Sequence, residues 1–207
     1  MENIILDYGN VIFDLDFVKL TESFEKLGVK NVEGLFSQAK QSPLFDAFDK
    51  GEISPQEFRD HIRKITEMDS LTDGMIDDAW NSLLIGVPAS RHLILEKLKV
   101  KYRTFLLSNN NEIHYAAILK HLRTEHRITD NSVFFEKDYY SHLLRMRKPD
   151  KEIFEFVLAT HQLDPDKTLF VDDSPQHLET AKSLGVHTAL VTSGNPFESI
   201  LEEYNLL

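Results

Sequence analysis

The sequence contains no cysteine, which removes disulfides, thiolate nucleophiles and thiolate zinc sites and agrees with a reducing compartment. Long apolar runs are missing as well. No stretch approaches the roughly 18 residues of a membrane span, and the N-terminus enters a short strand with neither a basic segment nor a signal-like apolar region, so a cytoplasmic protein with no membrane partner is expected. Positive charge is scarce: 23 Lys and Arg stand against 34 Asp and Glu, for a formal net charge of −11. Affinity for a nucleic-acid backbone comes from basic patches, so nucleic acid is excluded as a partner class. The same negative field opposes any anionic ligand, and a phosphate site would have to be built locally from a metal and a few placed cations. Repeats, low-complexity tracts and Ser/Gly linkers are absent, and the nine histidines show no metal-ligating spacing, which leaves them as surface or interior side chains.

What is present suits a folded α/β protein. The 207 residues, 42% hydrophobic and 28% charged, can bury a substantial interior as one domain or as a core carrying an insertion. Ile4-Ile5-Leu6 reads as a short buried strand. A long helical stretch follows: Phe17 to Leu27, stopped by Gly28; Val32 to Ala39, ended near Pro43; a helix from Pro55 to about Thr66; and one capped by Thr72, with Met75, Ile76, Ala79, Trp80 and Leu83 on one apolar face. Ser54-Pro55-Gln56-Glu57 combines an N-cap serine, a first-turn proline and a glutamate three residues after the cap.

From about Gly86 strands alternate with helices. Strands are expected at Thr104 to Leu107, Val133 to Phe135, Thr168 to Val171 and His187 to Val191. Helices are expected from Ser90 to Lys99, Glu112 to Leu122, Asp150 to Gln162, Pro175 to Leu184 and Phe197 to Tyr204. Such alternation indicates a parallel sheet with helices on both faces. The helical block after the first strand is too long for one crossover, so residues 14–85 read as an inserted cap on a core made of residues 1–13 and 86–207.

Three apolar strands end in polar clusters: Asp7, Ser108-Asn109 and Asp172-Asp173. In a parallel sheet these ends share one edge, where open α/β sheets place their chemistry. One strand-end acid could be a helix cap, but three clusters in order point to a site.

Four segments carry a resemblance to the haloacid dehalogenase-like hydrolase superfamily: Asp7-Tyr8-Gly9-Asn10-Val11, Leu106-Leu107-Ser108-Asn109, Arg147-Lys148-Pro149-Asp150 and Phe170-Val171-Asp172-Asp173-Ser174. They match the family's four motifs in order, and the chain resembles in particular the helical-cap branch that includes α-D-glucose-1-phosphate phosphatase-like proteins. The resemblance implies a Rossmann-like core with a helical cap and a magnesium-dependent phosphatase of a small phosphorylated metabolite, a sugar phosphate being one candidate. It implies Asp7 as nucleophile forming an aspartyl-phosphate, which divides one hard displacement into two easier ones. Magnesium would be held by Asp7, the Gly9 carbonyl and Asp173, with Asp172 as an alternative or supporting ligand. Ser108 and Asn109 would bind the phosphoryl oxygens, and Lys148 would supply the cation that balances Asp7 and the phosphoryl charge. Arg145 and Arg147 are expected at the surface or rim.

One position departs from the pattern. Family phosphatases generally carry a second acid two residues after the nucleophile, and here that place is Gly9. A proton-transfer group of this kind contributes about 10² to 10⁴ in rate, and Asn10 has no exchangeable proton near neutral pH. Either a cap residue such as Asp46, Asp49 or Glu52 supplies the acid, or the leaving group needs little protonation, or the protein is a non-catalytic phosphate-metabolite binder. Within enzymes, a phosphomutase or a haloacid dehalogenase would use the same Asp7. Phe45, Phe48 and Trp80 read first as the cap's own core.

Overall fold

The computed structural model describes residues 1–32, 34 and 43–207. Seven strands are assigned among them: β1 (Asn3–Leu6), β2 (Asp14–Leu15), β3 (Leu84–Gly86), β4 (Arg103–Ser108), β5 (Lys137–Tyr140), β6 (Thr168–Asp172) and β7 (His187–Leu190). Five form one sheet in the order β5-β4-β1-β6-β7, with every pairing parallel. The chain moves from β1 to its neighbour β4 on one side and later returns to β6 on the other. The order of the strands therefore reverses between β1 and β6, and the crevice at their C-terminal ends is where such sheets bind ligands. Register does the rest: Leu6 is level with Leu106 and with Val171, so Asp7, Leu107 and Asp172 follow at the same height.

Among the described residues, four helices lie between β2 and β3: α1 (Phe17–Lys26), α2 (Pro43–Asp49), α3 (Pro55–Thr66) and α4 (Asp73–Asn81). Six follow: α5 (Ala89–Lys101), α6 (Glu112–His121), α7 (Ser141–Leu144), α8 (Lys151–His161), α9 (Pro175–Ser183) and α10 (Phe197–Glu203). Strand residues alternate between two apolar layers, as the two-residue period requires. Ile4, Leu6, Leu106 and Val171 pack with residues of α5, α6 and α10, while Ile5, Phe105, Leu107 and Phe170 pack with α8 and α9. A third apolar cluster belongs to the insertion and gathers Phe24, Phe48, Phe58, Ile62, Ile76 and Trp80 with Ile113 of α6. β2 and β3 pair antiparallel, Asp14 with Gly86, so the chain leaves and re-enters the core at one place.

Local signals set the helix ends. Gly28, at φ 93°, stops α1 as expected, and Thr72 Oγ1 accepts from the Met75 N–H at the start of α4. Ser54 and Glu57 form a reciprocal capping box: the Ser54 N–H donates to Glu57 Oε2 at 2.7 Å and the Glu57 N–H to Ser54 Oγ at 3.2 Å. Ser54→Ala removes one of these bonds and is expected to cost about 1 kcal/mol, a fall in Tm of about 2–4 °C in a chain of this size, read in a thermal melt.

Three sequence expectations need correction or fall outside view. The strand expected at Val133 to Phe135 is a 3-10 turn over Asn131–Val133, and the strand itself is the polar, aromatic Lys137–Tyr140. Phe134 and Phe135 are buried because they plug the α5/α6 face of the sheet, not because they lie in a ladder. Met75 is 39% exposed and does not share the buried face of α4. The helix expected over Val32 to Ala39 falls largely outside the described residues.

Candidate active site

Lys148 ties the sheet edge together. It reaches in from the loop before α8, is fully buried, and donates from Nζ to Asp7 Oδ1 at 2.6 Å and to Asp172 Oδ2 at 2.7 Å. A buried ammonium persists only with such partners. Burial alone would lower its pKa, but Asp172 and Asp7 outweigh that and raise it, so the charge is retained. Asn109 fixes the loop that carries it: its Nδ2 donates to the Lys148 carbonyl at 2.8 Å, and the Lys148 N–H donates to Asn109 Oδ1 at 2.9 Å. The amide expected to grip substrate is thus engaged in positioning the lysine. Ser108 is buried, donates its hydroxyl to the Asn109 carbonyl at 3.3 Å, and lines a side cavity of about 50 Å³ beside Gly9 instead of the main one.

Asp7, Asp172 and Asp173 each offer one carboxylate oxygen, and these oxygens all lie within 4.8 Å of one another. The two acids from β6 are not equivalent. Asp172 is sealed from solvent with both oxygens occupied, Oδ2 by Lys148 and Oδ1 by the Ser174 N–H at 2.8 Å, and His177 Nδ1 sits 2.9 and 3.0 Å from the pair. Asp173 faces the cavity and accepts from Asn10 Nδ2 at 2.9 Å. Asn10 is in the left-handed region at φ 55°, which asparagine tolerates better than most residues, and its Oδ1 also accepts from the Leu15 N–H. One side chain therefore holds both the turn after Asp7 and the orientation of Asp173.

Charge in this cluster is not balanced. Burial, then the neighbouring Asp172 and Asp173 carboxylates, push Asp7 up to about 7 in spite of Lys148. Burial would raise Asp172 too, but Lys148 and His177 hold it below the usual carboxylate range, while burial keeps Asp173 above it. Three carboxylates around one ammonium, with hard oxygen donors converging, fit a divalent cation such as magnesium. That ion would neutralise the excess.

A cavity of about 240 Å³ opens over these groups, with Asp7, Gly9 and Asp173 on the sheet side and Phe45, Asp49 and Trp80 on the side of the insertion. The Phe45 and Trp80 rings stack at 5.3 Å and, as expected, belong to the insertion's own core, yet they also form this wall. Arg147 corrects its expectation. Arg145 is exposed, but Arg147 is 6% exposed and lines the cavity. It pairs with Asp46 and lies 3.7 Å from Asp49, and its buried Nε has no hydrogen-bond partner among the described residues.

Asn10, Asp49, Arg147 and His177 are the residues that motif reading did not assign to the site. Asn10 and Arg147 lie within the motif segments, and Asp49 is one of three acids in the insertion. The structure separates the three: Glu52 is exposed, Asp46 is taken by Arg147, and Asp49 lines the cavity.

The chain is 29% identical over 189 residues to the D-ribitol-5-phosphate phosphatase of Bacteroides thetaiotaomicron, spanning 91% of this chain and 90% of that protein. It superposes with TM-score 0.89 and 34% identity on a HAD family enzyme of Bacteroides thetaiotaomicron solved with magnesium and inorganic phosphate, covering 97% of this chain and 98% of that one. A HAD-like family hydrolase of Porphyromonas gingivalis superposes with TM-score 0.87 at 28% identity, covering 99% and 98%. The family model for haloacid dehalogenase-like hydrolases matches residues 4–185, a span that takes in the strand ends, the lysine loop and the insertion between them, and the chain belongs to that family.

Proposed function

We propose that the protein is a magnesium-dependent phosphatase that hydrolyses a small phosphorylated metabolite, a sugar or sugar-alcohol phosphate, through an aspartyl-phosphate on Asp7. The observation that carries this reading is Lys148 bonded at once to Asp7 and Asp172 beside a third carboxylate. A nucleophilic carboxylate approaching a phosphoryl group needs that concentration of positive charge. The relative that acts on D-ribitol 5-phosphate supports the substrate class.

Asp7, Asp173 and the Gly9 carbonyl would hold the magnesium, with Asp172 orienting Lys148 and contributing from behind. When bound, the ion supplies Lewis-acid stabilisation of the phosphoryl oxygens. Lys148 keeps one Asp7 oxygen fixed, which leaves the carboxylate oriented and not free to rotate. Asn109 keeps Lys148 in place through its backbone and lines the cavity on the side where the phosphoryl group would sit. Residues 14–85 act as a cap over the core of residues 1–13 and 86–207, and Phe45, Trp80 and Arg147 shape the leaving-group side of the cavity.

The test is a panel of phosphate esters assayed for phosphate release with magnesium and with a chelator. Turnover confined to magnesium is expected, greatest on phosphorylated polyols. Metal-independent turnover would count against the mechanism, and binding of phosphate esters without turnover would favour the non-catalytic reading that Gly9 suggests.

A further inference from the structure

We propose that Asp49, from the insertion, is the catalytic acid and base of this reaction, carrying the proton that Gly9 has no carboxyl to carry. The inference rests on the phosphatase reading and names a residue which that reading leaves open. In-line displacement places the leaving oxygen opposite the attacking Asp7 oxygen. It therefore points away from the sheet edge and toward the wall made by α2 and α4.

Elimination among the described cavity residues leaves one candidate. Asp7 is the nucleophile, and Asp173 and His177 belong to the carboxylate cluster on the sheet side. His114 is fixed as a neutral ring: its Nε2 lies 2.9 Å from the Trp80 carbonyl, which needs a donor, so its Nδ1, 3.2 Å from Asn111 Nδ2, accepts. Burial pushes it down to about 4. Arg147 does not give up its proton. Asp49 remains, and it is loosely held: Asn111 Nδ2 donates to Oδ1 at 3.4 Å and Arg147 Nη2 stands off at 3.7 Å because Asp46 engages the guanidinium more closely. Its carboxyl keeps capacity for a substrate oxygen.

The charges that face Asp49 are few. Arg147 approaches from the loop before α8, Asp46 from one turn back on α2, and the neighbouring Lys50 is turned to Asp150 at 2.8 Å. Burial pushes Asp49 up to about 6, with Arg147 and Asn111 pulling the other way. A carboxyl in that range is partly protonated near neutral pH and donates readily to an alkoxide. At position 9 a Cβ would lie 2.7 Å from Leu15 Cδ1. Leu15 fills the space into which an acid two residues after the nucleophile would project, and the proton's source is displaced to the opposite wall.

An Asp7 oxygen bonds to phosphorus while the bond from phosphorus to the leaving oxygen breaks, its electron pair staying on that oxygen, which takes the Asp49 proton and departs as the alcohol. The Asp49 carboxylate then takes a proton from water, whose oxygen bonds to phosphorus as the bond to Asp7 breaks, releasing inorganic phosphate.

The experiment compares wild type and Asp49→Asn on two magnesium-supported substrates, D-ribitol 5-phosphate and p-nitrophenyl phosphate. The alkyl ester needs its leaving oxygen protonated and the aryl ester does not. Asp49→Asn should lose about 10² to 10⁴ in kcat/KM on the alkyl ester, change little in kcat/KM on the aryl ester, and release one p-nitrophenolate per active site in a burst before slow turnover. That burst also shows that the variant is folded. With the wild type, kcat/KM on the alkyl ester should fall above about pH 6 relative to the aryl ester, and the variant should lack this limb. Equal losses on both esters, or no loss on the alkyl ester, would overturn the proposal. Failure of the phosphatase reading looks different: the wild type then hydrolyses neither ester, and the role of Asp49 falls with it.

Discussion

Asp7→Asn is expected to abolish magnesium-dependent phosphate release and, at the same time, to raise the Tm of the metal-free protein at pH 8. The first effect follows from nucleophilicity, because an amide does not attack phosphorus and removal of a covalent catalyst's nucleophile costs about 10⁴-fold or more. The second follows from charge. In the folded chain Asp7 is pushed up to about 7 from 3.8 by burial and by Asp172 and Asp173. A folded pKa above the unfolded one means that the ionised group destabilises the fold. The penalty is complete above pH 7, shrinks as pH falls through 7, and is gone below about pH 4. Asparagine removes the penalty while Lys148 loses one of its two acceptors. The balance is of order 2 kcal/mol in favour of the variant, a rise of about 4–8 °C at this chain length. Melts in chelator at pH 8, 6 and 4.5 should show the gap closing on acidification. Magnesium should stabilise the wild type and leave the variant nearly unmoved, since binding to the native state alone raises stability. A variant less stable than wild type in chelator at pH 8 would show that the cluster is already balanced by Lys148.

The parts of the molecule legible in the sequence are those fixed by short-range chemistry. Apolar triplets ending in acids gave β1 and β6, and the parallel register, Leu6 beside Val171, then made Asp7 and Asp172 neighbours. Ser54 and Glu57 signal a helix start because both partners of the box lie within four residues. The sequence places Arg147 at the surface or rim because nothing within its own segment buries it: its partners Asp46 and Asp49 lie about a hundred residues earlier and meet it only after folding. Asp49 cannot be told from Asp46 or Glu52 by composition, since what separates them is what each meets after folding: Arg147 for Asp46, the cavity for Asp49 and solvent for Glu52. Asn109 is recognisable as a site residue, but its partner is not, because a side-chain amide offers the same donors to a phosphate and to a lysine backbone. The sequence draws the expected edge strand to Phe134 and Phe135, whose burial serves the helix layer and not the ladder.

Lys148→Met should lower stability and turnover together, where Asp7→Asn lowers turnover alone. Methionine fills much of the volume of the lysine stem over Phe170, where Nζ stands 5.3 Å from the ring centroid, so the cavity term is small. What remains is Asp7 and Asp172 facing each other without a cation, Asp172 with no solvent exposure at all. Removing one partner of a buried ion pair costs about 3–5 kcal/mol, or a fall in Tm of about 6–20 °C. The pH dependence identifies the cause. The folded pKa of Lys148 lies above its ordinary value, so its contribution is constant from pH 5 to 9 and any slope in that range comes from the carboxylates it leaves behind. They are forced upward in the variant, which should therefore recover stability as the pH is lowered, toward the wild-type value near pH 5. Magnesium should also stabilise the variant more than the wild type, because the ion takes over part of the missing charge. Turnover should fall about 10³-fold or more even in saturating magnesium, since the orientation of Asp7 and a fixed cation at the phosphoryl group are lost together. Lys148→Arg should restore little. A guanidinium keeps the charge but needs a wider, planar space than a fully buried ammonium between two oxygens at 2.6 and 2.7 Å provides. Recovery of activity in the arginine variant would show that the lysine acts only as a charge, and that the close fit to Asp7 and Asp172 has no part in catalysis.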